Sequence, residues 1–255
     1  MDDSIILDSD FSLLMENGKI LNRVFKETIE YATAGKSLLS IDAFMGNRIV
    51  DAGARAASLN YKGYGDVPYL YSSCISVNDI VVHGVPTDYE LKEGDIVTID
   101  CAIERHGVYV DKAVCFGVGS ISDKAKRINM SVECALEYGI KKAVLGNKIG
   151  DISHEIHKAI KGFGFECCYN FVGHGIGYKF HTEPEVPNIG FQGVGPRLIE
   201  GMCIAIEPIA LENSSKDLEL GDDGWTIRNV AGLASHCEDT VYISKNGPII
   251  VTRQE

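Results

Sequence analysis

Apolar positions along the chain change rhythm twice. Leu14, Leu21, Val24 and Ile29 fall on one stripe of a helix predicted over 10–32. A second helix is predicted over 37–54, with Gly35 as the stop between them. The same pattern returns over 122–144 and 151–161, where Ile152, Ile156 and Ile160 recur every four residues and Gly162 ends the run. Ser122 and Asp151 are the expected N-caps of this second pair. After each helix pair the pattern shifts to short runs rich in Val and Ile, which read as strands.

The two halves echo each other. LKEGDIVTID (91–100) resembles LIEGMCIAIE (198–207): both read Leu-x-Glu-Gly and end on Ile and a carboxylate. Each copy follows a helix pair and a His-Gly dipeptide, His83-Gly84 in the first half and His174-Gly175 in the second. The expected fold is therefore α+β, a single domain over 1–255. Its two related halves, about 10–119 and 120–255, would each pack a helix pair on antiparallel sheet, with a site in the cleft between them.

Composition narrows the field. The chain has 255 residues and 45% hydrophobic content, and no apolar run reaches the roughly 18 residues of a membrane helix. The acidic start MDDSIILDSD is unlike a signal peptide, so the expected location is the cytoplasm. A net charge of −12 argues against broad nucleic-acid or anionic-membrane contacts. Eight cysteines without a CxxC pair read as free thiols.

The candidate chemistry begins with misplaced carboxylates. Asp100 ends the run Ile96-Val97-Thr98-Ile99, Arg105-His106-Gly107 reads as a turn, and the chain returns through Val108-Tyr109-Val110-Asp111. If the turn centres on Arg105-His106, Asp100 lies opposite Asp111; if it centres one residue later, Ala102 does and Asp100 is diagonal. Either way strand alternation sends both aspartates to one face. Two buried like charges there need a shared proton, a basic partner or a metal ion. Glu207, after Cys203-Ile204-Ala205-Ile206, and Glu238, ahead of Val241-Tyr242-Ile243, add two more carboxylates beside apolar strands. With His174 the set becomes four carboxylates and one imidazole, which suits Mn(II), Fe(II), Co(II) or Zn(II).

FVGHGIGYKFH, residues 171–181, holds two histidines seven apart among three glycines, a spacing that neither helix nor strand explains. This stretch, CISVNDIVVHGVP, the Asp100/Asp111 interval of eleven, Ile206-Glu207-Pro208, and Glu238 with Thr240-Val241 together resemble the methionine aminopeptidase family. The resemblance runs from about residue 10 to the C-terminus, and the short interval from His181 to Glu207 resembles its type I, minimal bacterial-style members.

What the resemblance implies is specific. The fold would be the duplicated "pita-bread" fold. The activity would be removal of N-terminal methionine from nascent proteins whose second residue is small, by a metal-bridged hydroxide attacking the scissile carbonyl. Two divalent ions per chain would be held by Asp100, Asp111, His174, Glu207 and Glu238. Asp111 and Glu238 would bridge them, and Glu207 would also shuttle the proton. His181 would face the scissile carbonyl and His83 the peptide nearby. Tyr61, Tyr64, Cys74, Phe180 and Trp225 match the family's methionine pocket. Partners would be nascent N-termini and, transiently, the ribosome near its exit tunnel; specific DNA, a membrane and a stable oligomer are not expected.

Three features depart from the family pattern. Lys112 follows Asp111, with alternation sending it to the opposite face; Asp239 follows Glu238 as an extra carboxylate near the site; and GDVPYLYSS (65–73) is longer than usual. That last stretch brings Tyr69 and Tyr71, either to the substrate entry or to a surface loop. His106 reads as a turn residue, His154 and His157 as a solvated helix face, and His236 has no derivable role. The alternatives to the aminopeptidase reading are an Xaa-Pro peptidase on the same fold and a catalytically dead binding protein.

Overall fold

The structure is a computed structural model that describes residues 3–63, 67–214, 216, 218–230 and 232–254. Its first half runs α1 (Phe11–Tyr31), α2 (Leu38–Asp51), β1 (Arg55–Ala56), β2 (Cys74–Val77), β3 (Ile80–Val82), β4 (Ile96–Arg105) and β5 (Val108–Gly117). The second opens with α3 (Asp123–Ile140) and α4 (Ile149–Gly162), then β6 (Glu166–Cys167), β7 (Gly173–Gly175), β8 (Thr182–Val186) and β9 (Cys203–Ile206). It closes with β10 (Ile209–Leu211), β11 (Leu218–Leu220), β12 (Ile227–Asn229), β13 (Ala234–His236), β14 (Glu238–Ser244), β15 (Gly247–Ile250) and a 3-10 turn, Val251–Arg253.

All four predicted helices form, within a few residues of the expected ends. Ser37 and Ser122 cap α2 and α3 by accepting from the backbone N–H three residues on. Asp151 corrects the expectation. It is not the N-cap of α4 but sits one turn inside, where its carboxylate accepts from the Lys148 N–H at 2.8 Å. That is the returning half of a capping box, and the acidic side chain also suits the helix N-terminus.

A curved antiparallel sheet orders its strands β1-β4-β5-β14-β9-β7-β8. The two echoing segments, β4 and β9, thus stand at matching places on either side of the β5–β14 pair. One core gathers Leu14, Leu21, Phe25, Ile41 and Met45 from α1 and α2 onto Ile99 and Val110. The other gathers Ile128, Val132, Ile152 and Ile156 from α3 and α4 onto Ile204 and Val241. Each helix pair covers its own part of the sheet, and the pita-bread arrangement expected from the sequence is the observed one. Among the described residues no helix is long and apolar enough to cross a membrane. None of the eight cysteines, all among the described residues, is in a disulfide.

Candidate metal centre

The β4–β5 hairpin turns at His106-Gly107, with Arg105 paired to Val108. Its register puts Ala102 opposite Asp111 and Asp100 opposite Ala113, so the two aspartates are diagonal neighbours on one face. Beyond β5 the sheet continues into β14, where Glu238 pairs with Ala113. Thr240 fastens that junction. Its hydroxyl accepts from the Asp111 N–H and donates to the Asp111 carbonyl, both at 2.8 Å. Strand β14 then leaves β5 for β9, pairing Thr240 with Ala205, and β9 delivers Glu207 just past its end. Four neighbouring strands, β4, β5, β14 and β9, therefore carry four carboxylates to one spot.

His174 arrives on β7, squeezed between β8 and β9. The glycines around it answer to close approach. A Cβ at Gly173 would lie 2.3 Å from the Ala205 carbonyl oxygen, and one at Gly175 would lie 2.1 Å from that of Glu183. The His174 Nδ1 lies 2.9 Å from the Gly175 carbonyl, which only accepts, so Nδ1 holds the proton. Nε2 is left with its lone pair facing Glu207 Oε1 at 3.7 Å and Asp111 Oδ2 at 3.9 Å. One ligand atom each from Asp111, His174 and Glu238 all lie within 4.8 Å of one another. Asp100 and Glu207 stand outside that tight trio, yet all five residues line one cavity of about 80 Å³.

The electrostatics of the site lack a cation. Burial raises the Asp100 pKa to about 7. Asp111, Glu207 and Glu238 are pushed well above the carboxylate range, by burial first and then by one another and Asp100. Glu238 Oε1 has no hydrogen-bond partner among the described residues. Burial also lowers His174 to about 4, keeping it neutral. Buried oxygens that repel each other, one orphaned acceptor and one imidazole lone pair form a donor set that fits a divalent metal.

Lys112 and Asp239 point away from this face. They pair across β5 and β14 on the other side of the sheet, with Nζ and Oδ1 2.9 Å apart, both nearly fully buried. Asp239 also accepts from Thr252 Oγ1 at 2.7 Å and from Arg253 Nε at 2.6 Å. Alternation turns the Asp239 side chain away from the ligand face, where two cations and a hydroxyl meet it, yet its charge still adds, after Asp111, Glu207 and Asp100, to the upward push on Glu238, as the sequence led us to expect. A wider groove of about 630 Å³ opens beside this network, between β5, β14 and α3. The carboxylate–imidazole chemistry sits in the smaller cavity.

The remaining predicted residues surround that cavity. His181 stands at its mouth, its ring centroid 4.2 Å from that of His174 and 5.1 Å from that of Tyr61. Its pKa is lowered by burial and by His174 and His83. His83 takes φ = 57°, a strained value for a non-glycine residue, and packs edge-on to Phe171 and Trp225. Burial lowers its pKa to about 4. Tyr61, Cys74, Phe180 and Trp225 are half-buried in the cavity wall. Tyr64 lies outside the described residues, as do Gly65 and Asp66 of the long loop.

Two further residues, whose place the sequence left open, belong to the site. Tyr69 is 2% exposed and lines the cavity; the signal was a tyrosine-bearing stretch of unusual length between two pocket positions. His236 is buried, with Nε2 unpartnered and 3.9 Å from Glu207 Oε2. Its position two residues before Glu238 had placed it near the cleft, though without a derivable role. His154 and His157 join no metal-binding group among the described residues.

Comparison with known proteins agrees with this geometry. The sequence profile of metallopeptidase family M24 matches residues 12–245. A methionine aminopeptidase of Clostridium perfringens is 42% identical over 246 residues, 96% of each chain. The crystal structure of methionine aminopeptidase from Rickettsia prowazekii superposes with a TM-score of 0.93 at 32% identity, covering 99% of this chain and 100% of that one. A prolidase from Pyrococcus furiosus shares the fold at TM-score 0.79 and 22% identity, covering 99% of this chain and 66% of its own.

Proposed function

This chain belongs to metallopeptidase family M24, and on that premise we propose that it removes N-terminal methionine from peptides and nascent proteins whose second residue is small. The observation that carries the reading is the coincidence of two features in one cavity. Its lining brings together four carboxylates with the His174 Nε2 lone pair and, beside them, Tyr61, Cys74, Phe180 and Trp225. Aromatic rings and a thiol suit a thioether side chain.

Asp100, Asp111, His174, Glu207 and Glu238 would hold two divalent ions drawn from Fe(II), Mn(II), Co(II) and Zn(II). Such ions, when bound, polarise a scissile carbonyl and lower the pKa of water. The chain's own residues do the rest. Glu207 takes the proton from the attacking water and returns it to the leaving amine; its place in the cavity beside His174 supports that role. His181 is held neutral, so it donates one N–H to the developing oxyanion without bringing a full charge. His83 borders the cavity beside Trp225, where the peptide would pass. The substrate would be met as it leaves the ribosome, by a monomeric enzyme in the cytoplasm.

The test is hydrolysis of Met-Ala-Ser beside Met-Leu-Ser and Ala-Pro, with metal-free protein titrated anaerobically with Fe(II), Mn(II) and Co(II). Metal-dependent release of methionine from Met-Ala-Ser alone is the expected result. Cleavage of Ala-Pro alone would assign the chain to the proline-specific branch of the fold. No turnover with any metal would favour a binding role.

A further inference from the structure

Strand β14 changes partners near its start. Along one stretch it pairs with β5, at Glu238 and Asp239, and from Val241 to Ser244 with β15. Thr240 falls between the two, in the fork where β5 and β15 part. Two of the metal-ligand candidates stand at this fork. Glu238 is in the last stretch of the β5–β14 ladder, and Asp111 lies one position beyond the pair Asp239–Lys112.

A fork leaves backbone groups without ladder partners, and here two hydroxyls take the place of the ladder. Thr252 Oγ1, from the turn after β15, accepts from the Thr240 N–H at 3.2 Å and donates to Asp239 Oδ1 at 2.7 Å. The Thr240 hydroxyl in turn bonds the Asp111 N–H and carbonyl, both at 2.8 Å. Both threonines are fully buried, so a lost hydroxyl leaves its partners unpaired. The turn that carries Thr252 is itself held from three sides. Asn22 Nδ2 on α1 donates to the Gln254 carbonyl at 3.0 Å. Helix α1 also comes so close at Gly18 that a Cβ there would lie 2.1 Å from the Val251 carbonyl oxygen. Arg253 Nε donates to Asp239 Oδ2 at 2.6 Å, and its Nη1 pairs with Glu137 on α3. The turn after β15 is thus a wedge in the fork, and its seating sets how far β5 and β14 splay.

We propose that Thr252 and Arg253 are positioning residues for the metal centre, holding the strands of Asp111 and Glu238 at the spacing a divalent ion requires. The proposal rests on the metal-ligand reading above, in which one ligand atom each from Asp111, His174 and Glu238 lie within 4.8 Å of one another. Groups behind the ligands tune affinity because they decide whether the ligand atoms are in place before the ion arrives. Thr252→Val keeps the side-chain shape and removes the hydroxyl, whereas Thr252→Ser retains it. Arg253→Met removes the guanidinium and keeps most of the stem. Ile156→Val, in the core under α3 and α4, is a control that trims a buried side chain away from the fork.

The experiment measures three quantities for each full-length protein: Mn(II) affinity by calorimetry, the visible spectrum of the Co(II)-loaded form, and the thermal melt. Thr252→Val is expected to lose about 10-fold or more in Mn(II) affinity and to shift the Co(II) bands. Thr252→Ser should stay within about 2-fold of the wild type and keep its spectrum. Ile156→Val should melt earlier with Mn(II) affinity within about 2-fold, which separates positioning from general destabilisation. Should Thr252→Val give no cooperative melt, Arg253→Met decides, with a loss of about 5-fold or more expected. Wild-type affinity and spectrum in folded Thr252→Val, or an equal loss in Ile156→Val, overturns the proposal. A wild-type protein that binds no Mn(II) overturns it together with the metal-ligand reading. A wild-type protein that binds Mn(II) but releases no methionine sinks the aminopeptidase reading alone, since none of the three readouts depends on turnover.

Discussion

Asparagine at position 239 would leave the Lys112 ammonium buried without a counter-charge, and the structure says what that costs. Lys112 is 7% exposed and its Nζ has one anionic partner, Asp239 Oδ1 at 2.9 Å. Asp239 is better provided, holding Thr252 Oγ1 and Arg253 Nε as well. The pair is therefore asymmetric under mutation. Asp239→Asn strands a cation in a dry environment, a loss of about 3–5 kcal/mol. Lys112→Met removes the cation, keeps most of the aliphatic stem, and leaves Asp239 with two donors; about 1–2 kcal/mol is expected. At roughly 2–4 °C per kcal/mol for a chain of this size, Asp239→Asn should lower Tm by about 10 °C and Lys112→Met by about 5 °C or less. The double variant Lys112→Met/Asp239→Asn should be more stable than Asp239→Asn alone, because no lone buried charge remains. The assay is thermal unfolding by circular dichroism, all proteins stripped of metal. Equal losses in the two single variants, or a double variant whose loss is the simple sum, would refute the asymmetry and the burial argument with it.

Other outcomes follow from the same geometry. At pH 7 the raised pKa values of Asp100, Asp111, Glu207 and Glu238 mean that the metal-free site holds protons which an ion must displace. Calorimetry in buffers of different ionisation enthalpy should show proton release, and affinity should rise about tenfold or more per pH unit below neutrality; a buffer-independent enthalpy would contradict the pKa directions. His174→Ala should lose bound metal, whereas His181→Ala should keep it while turnover falls about 10²-fold. Metal loss in His181→Ala would exchange the roles of the two histidines. Glu207→Gln should lower kcat by roughly 10²–10⁴-fold with substrate still bound, and a smaller drop would move the proton transfer to another group. Thr240→Val, which leaves the Asp111 N–H without the hydroxyl it donates to, should cost about 1–3 kcal/mol by urea unfolding, a loss absent if water reaches that junction.

Much of the site was legible because its signals are local. Alternation along Val97–Asp100 and Tyr109–Asp111 put both aspartates on one face before any pairing was known, and either turn gave that answer. His174 between two glycines announced a crowded backbone, and the Ala205 and Glu183 carbonyls are what crowd it. Helix periodicity placed all four helices, with only the first turn of α4 misread, since Asp151 serves a helix N-terminus equally from the cap and from one turn inside.

What the sequence by itself determined, then, was which residues share a face, a turn or a helix, because these depend on neighbours a few positions apart. Tertiary structure alone decided which distant faces meet. Sheet order joins Lys112 to Asp239 across 127 residues and gives a buried carboxylate its counter-charge. It brings the unpartnered His236 Nε2 toward Glu207. It also turns Tyr69 inward, which no periodicity foretold: its burial comes from Asn60, Tyr61, Ser73 and Gly84 closing around it, and a loop has no repeating geometry from which such closure is read.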